Sequence, residues 1–214
     1  EHPILTSSEL EKLRSIDTGV FQAKTLQLYF KADGSEGSLD AGIQRLCRYA
    51  DDAVRDGFEV LILSDRAIDS QHAPIPSILA VSAVHHHLIK TGNRGAVGIV
   101  VEAGDVWEVH HFACLLAFGA TAINPYMALA SIRTMREEGQ LETQLDWEEL
   151  KKNYVKAICA GLLKIFSKMG ISTLQSYHGA QIFEVLGIDS EVVDKYFCGS
   201  VSRIGGLNVD DIAK

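Results

Sequence analysis

The side chains best suited to acid–base or anion chemistry stand at the ends of short apolar runs. Asp65 and Arg66 follow VLILS at 60–64, Glu102 closes AVGIVV at 96–101, and Asn124 follows Thr121–Ile123. Gln175, Ser176, Tyr177 and His178 follow ISTL at 171–174, and Arg203 lies in a glycine-rich tail. The carboxyl end of a buried strand is where α/β proteins usually meet ligands and partners. Adjacent opposite charges read first as an ion pair that orders the next loop, so Asp65 and Arg66 are expected to pair. Glu102 is expected to bond Arg66, or Arg203 from the tail.

Histidines and cysteines offer metal or nucleophile chemistry. His85, His86 and His87 are consecutive in a helical pattern, where neighbours point about 100° apart, so one ion cannot take all three. HExxH is absent. His111 shares a face with Trp107, Cys114, Leu115 and Phe118 and reads as a packed ring. His110 is expected to look toward the sheet end with Glu108. Cys47, Cys114, Cys159 and Cys198 lack CxxC spacing and read as reduced, mostly buried thiols, not zinc or iron–sulfur ligands. No glycine run follows GxGxxG; Gly205-Gly206, and Gly179 at an expected helix entry, are weak anion cradles.

These residues need a scaffold, and the pattern supplies one. Strands are expected at Thr25–Phe30, Phe58–Leu63, Ala96–Val101, Thr121–Ile123 and Ile171–Leu174. A capping box at Ser8 and Glu11 predicts a helix over Glu9–Ile16. Further helices are expected from Ser38 or Asp40 to Asp56, from Pro74 and Pro76 to Lys90, and from Asp105 to Phe118. Others run from the Asn124-Pro125 cap to Glu138, from Asp146 to Met169, and at about 179–186 and 190–197, with a last short helix in the tail. Gly139–Leu145 reads as a linker. The long helix presents Tyr154, Ile158, Leu162, Ile165 and Met169 on one face, and Gly170 stops it. Residues 1–24 read as an N-terminal arm and 25–214 as the body. Alternating β and α units demand a parallel sheet with right-handed crossovers. Either an incomplete (β/α)8, TIM-barrel-like sheet or an open doubly wound sheet satisfies that order.

Composition narrows the function. The 214 residues are 47% apolar and 22% charged, a globular balance, with a net charge of −8. That charge argues against sequence-independent nucleic-acid binding. No apolar run approaches the roughly 20 residues that cross a bilayer. Reduced thiols and no signal pattern favour the cytoplasm. The first residue is not Met, so a piece of a longer chain is expected.

Three long stretches, LILSDR at 61–66, PIPSILAVSAVHHHLIKTGNRGAVGIVVEAGDVWEVHHFACLLAFGATAINPY at 74–126 and GLLKIFSKMGISTLQSYHGAQIFEVLGI at 161–188, resemble the central domain of the glutamate synthase large subunit. SRIGGLNVDDIA at 202–213 is similar to the segment that precedes that enzyme's flavin domain. His178 departs from the pattern, since many members are expected to carry arginine or lysine there. The resemblance implies a barrel-like fold related to FMN-linked oxidoreductase barrels. It implies a connector between an amidotransferase domain and an FMN domain, walling the path of ammonia from glutamine to 2-oxoglutarate. FMN and the 3Fe-4S cluster would belong to the following domain, and this segment would hold no cofactor. The strand-end residues, from Asp65 to Arg203, would then fix an interface or a tunnel wall. Without its flanking domains such a segment would expose apolar surface and self-associate. The alternative is a self-contained β/α enzyme or binding module using Asp65, Arg66, Glu102, Asn124 and Tyr177.

Overall fold

The computed structural model describes residues 2–16, 21–141 and 144–214. Four strands run parallel and side by side: β1 (Ala23–Gln27), β3 (Val60–Ser64), β5 (Gly98–Glu102) and β6 (Ala122–Asn124). β2 (Tyr29–Lys31) and β4 (His72–Pro74) form a separate antiparallel pair. Leu61, Ile62 and Leu63, and Ile99, Val100 and Val101, are all buried, as parallel strands covered on both faces require. Alternation splits them: Leu61, Leu63, Ile99 and Val101 join the large core, while Ile62 and Val100 pack with Leu10 on the other face.

Between the strands lie α2 (Ser38–Arg55), α3 (Ser77–Lys90), α4 (Val109–Ala117) and, after β6, α5 (Tyr126–Glu137). α3 buries Leu79, Ala80, Val81, Ala83, Val84 and Leu88, so it is apolar nearly all round and sits inside the molecule. α6 (Trp147–Met169) is opened by the expected Asp146–Glu149 capping box and closed by Gly170 at φ 69°. Of its expected apolar face, Ile158 and Leu162 are buried, whereas Met169 is half exposed. α1 (Ser7–Arg14) carries Leu10. Ahead of it, Leu5 N donates to the Ile123 carbonyl and Ile123 N to that of Pro3, both at 2.8 Å, so the amino-terminal residues extend the sheet past β6.

Several expectations are corrected. Ile171–Leu174 is not a strand. Ile171 N donates to the Phe166 carbonyl, which spends it on closing α6, and the Thr173 side chain accepts from Ser176 N to start the short α7 (Leu174–Tyr177). No helix fills 179–186: Gly179 and Gln181 both have positive φ, which a right-handed helix does not take. Instead β7 (Glu184–Ile188) pairs in parallel with β8 (Val201–Leu207), flanking α8 (Ser190–Tyr196), and α9 (Val209–Ile212) closes the tail. The first capping box is Thr6–Glu9, two residues early, because burying Leu10 sets the register. Neither Asp105 nor Asn124 caps its own helix. Asp105 accepts from Ser77 N at the start of α3 (3.0 Å), and Asn124 is buried at the strand end. Gly37, not Ser38 or Asp40, is the cap of α2. The expected linker Gly139–Leu145 and arm 1–24 lie partly outside the described residues.

Candidate functional site

Parallel strands align their carboxyl ends, and β3, β5 and β6 thereby gather four of the expected residues: Asp65, Arg66, Glu102 and Asn124. Glu102, 2% exposed, is the hub. Its Oε2 accepts from Ser64 Oγ at 2.6 Å and from an Arg14 guanidinium nitrogen at 2.7 Å; its Oε1 accepts from Arg66 Nε at 2.7 Å. Burial opposes its charge, but these three donors outweigh burial and hold the carboxyl below its usual range. Arg66 therefore pairs across strands with Glu102, and its guanidinium lies 4.0 Å over the Tyr126 ring.

Asp65 does not pair with Arg66. Its Oδ2 accepts from Gly104 N at 2.7 Å, and the Tyr126 hydroxyl lies beside the carboxyl. Burial first, then the charges of Asp105 and Glu102, raise its pKa despite those bonds. Tyr126 is pushed up to about 12 by burial and by Asp65. Asn124 donates from Nδ2 to the Leu5 carbonyl at 2.8 Å. Asp65 Oδ1 and Asn124 Oδ1 are buried acceptors without a donor among the described residues.

The other expected residues lie elsewhere. Tyr177 is fully buried, its ring tilted 45° against that of Phe166 with centroids 4.3 Å apart. His178 and Gly179 sit by Ala120, Arg94 and Ala117, at the amino ends of β5 and β6, opposite to Glu102. Gln175 and Ser176 are exposed on α7. Arg203 pairs with Glu184 on the β7–β8 ribbon at 3.1 Å and not with Glu102. One pocket therefore cannot hold Asp65, Arg66, Glu102, Asn124 and Tyr177. Sequence reasoning missed Arg14 and Tyr126. Arg14 lies in the stretch that reads as an N-terminal arm, and Tyr126 follows Pro125, where the pattern signals only a helix start.

The consecutive histidines take three different partners. His85 Nδ1 meets Arg94, His86 Nδ1 meets the Ser82 carbonyl at 2.8 Å, and His87 Nε2 meets Asp51 at 2.5 Å. Asp51 is therefore a partner of α3. His111 Nδ1 accepts from Trp107 N at 3.1 Å, while His110 packs edge-on against Phe183 rather than beside Glu108. Both line an apolar cleft of about 500 Å³ between α4 and β7. The four cysteines are free thiols, with burial raising Cys47 and Cys114 to about 11. No helix is long and apolar enough to cross a membrane among the described residues.

Residues 1–189 match the family model of the glutamate synthase central domain. The chain belongs to that family. It is 45% identical to the chloroplastic ferredoxin-dependent glutamate synthase of Oryza sativa subsp. japonica, over 99% of this chain and 14% of that one. It is 42% identical to the glutamate synthase [NADPH] large chain of Bacillus subtilis (strain 168), again over 99% and 14%. Against glutamate synthase [NADH] of Schizosaccharomyces pombe the figures are 44%, 99% and 10%. The chain thus spans about a tenth to a seventh of the length of these curated relatives. Among solved structures, DHODH from Eimeria tenella aligns at a TM-score of 0.46 and 17% identity, covering 82% of this chain and 46% of that one, too loose a likeness to decide the architecture.

Proposed function

We propose that this central domain connects the catalytic domains of a glutamate synthase without doing chemistry itself. The parent would form glutamate from glutamine and 2-oxoglutarate in the cytoplasm, with an amidotransferase domain before this segment and the FMN and 3Fe-4S domain after it. Its sheet would be an incomplete barrel related to the FMN-linked ones.

The observation that carries the reading is how the strand-end cluster is spent. In an acid–base enzyme a carboxylate at this position faces substrate. Here Glu102 is consumed by Ser64, Arg14 and Arg66, and Arg66 is stacked on Tyr126. The cluster ties the amino-terminal helix to two strands, which is a fastening role. The two orphan acceptors, on Asp65 and Asn124, are the polar atoms here that a passing ammonia molecule would hydrogen-bond. The exposed apolar residues Leu186, Val201, Ile204 and Leu207 of the β7–β8 ribbon suit cover by the neighbouring domain of the same polypeptide.

The test is direct. The purified chain should release no ammonia from glutamine, form no glutamate, and gain no flavin absorbance on incubation with FMN. Glutamine hydrolysis above a blank, or retained yellow flavin, overturns the proposal.

A further inference from the structure

A second polar site lies at the amino ends of β5 and β6. Arg94 places all three of its donating groups on the protein: Nε on His85 Nδ1 at 2.8 Å, and the two terminal nitrogens on the carbonyls of Val97 (2.7 Å) and Gly119 (2.9 Å). No carboxylate pairs with it among the described residues. Half-buried cations of this kind normally carry a counter-charge, because desolvating them is costly.

The arginine also fixes its neighbour's chemistry. Guanidinium only donates, so His85 Nδ1 holds a lone pair and the ring's proton sits on Nε2. Burial, then the Arg94 charge, push His85 down to about 3, so the ring stays neutral. Gly119 presses on the Nδ1–Cγ–Cβ edge, where a Cβ would collide. That leaves Nε2–H as the ring's remaining donor, and His85 lines, with His86, a cavity of about 280 Å³. A donor bonded to a cation at its other nitrogen is strengthened by polarisation. His178 is a second imidazole beside Arg94, its Nε2 buried without a partner among the described residues.

Among the described residues the cavity wall contains no Asp or Glu, although the chain carries 28. Its remaining surface is largely apolar, including Ile89, Phe118 and Phe183. Gln181, the one non-glycine residue at positive φ among those described (54°), also lines it and is held against Gly199. Non-glycine residues in that region are costly and gather at ligand sites.

We propose that this cavity binds a small aliphatic carboxylate, its oxygen accepting from His85 Nε2–H and its charge answering Arg94, with the tail against the phenylalanines. The volume suits a metabolite of a few carbons rather than a nucleotide. The site lies at the opposite end of the sheet from Glu102 and stands independently of the connecting role.

The test uses the whole chain labelled with ¹⁵N, its histidine ring correlations followed during titration with sodium butyrate, sodium sulfate or sodium chloride at matched ionic strength. Butyrate should shift the His85 Nε2–H signal saturably and more tightly than sulfate, and chloride should have no effect. Ile89→Glu puts a carboxylate at a half-exposed position of the wall without touching Arg94, and should weaken butyrate at least tenfold. No saturable His85 shift, or equal affinity in Ile89→Glu, overturns the site; tighter binding of sulfate overturns the carboxylate class.

Discussion

Two neighbouring carboxylates have opposite effects on stability. Glu102 is held below its usual range in the folded chain, so its contribution is present above its unfolded pKa and is lost as pH falls through the folded one. Asp65 is raised, so it detracts from stability at neutral pH, and that detraction fades as pH falls through its folded pKa. Glu102→Gln should lower unfolding stability at neutral pH by about 2 kcal/mol, since Arg14 and Arg66 lose their partner while keeping partial access to water. The gap between variant and parent should begin to narrow below the ordinary glutamate pKa of 4.5, where Glu102 of the unfolded chain protonates, and close as pH falls through the lowered pKa of the folded one. Asp65→Asn should leave stability unchanged or raise it by up to about 1 kcal/mol. Urea unfolding at several pH values reads all three. A Glu102→Gln deficit that stays constant into acid, or a large loss from Asp65→Asn, contradicts the assignment. Asp65, Arg66, Glu102 and Asn124 were legible as a cluster because strand ends align in a parallel sheet. Their pairing was not, because Arg14 is 88 residues from Glu102 in sequence.

At the scale of elements, helix spacing was readable wherever a cap and an apolar period agreed, as from Asp146 to Gly170. It failed where two caps had the same spacing, Thr6–Glu9 and Ser8–Glu11, since only tertiary burial of Leu10 separates them. It failed again at 171–188, where positive-φ residues and a helix end reuse donors that a strand would need. The contact between α4 and α6 offers a clean measure of packing. A Cβ on Gly161 would stand 2.5 Å from Val109 Cγ2. Gly161→Ala should therefore cost about 1–3 kcal/mol by overpacking. Val109→Ala in the same chain should recover much of that, a coupling of at least about 0.5 kcal/mol in a double-mutant cycle. Additive losses would show that α4 and α6 do not meet there.

For the whole molecule, the proposed connecting role rests on the β7–β8 ribbon. Two parallel strands with apolar side chains open to water are unusual in a finished domain, and Ile204 stands 62% exposed. Sequence could not reveal this, because a short apolar stretch reads the same whether its cover comes from within the chain or from beyond it. Ile204→Asp should leave this domain's own unfolding midpoint nearly unchanged, since the side chain packs little within it. Placed in a full-length glutamate synthase that carries this domain, the substitution should loosen the seating of the neighbouring domain. The deciding measurement is the ratio of glutamine hydrolysed to glutamate formed, with free ammonia assayed in the medium. A connecting domain predicts that the ratio rises above that of the parent and ammonia escapes, while the initial rate of glutamine hydrolysis holds. An unchanged ratio with no ammonia released would contradict it.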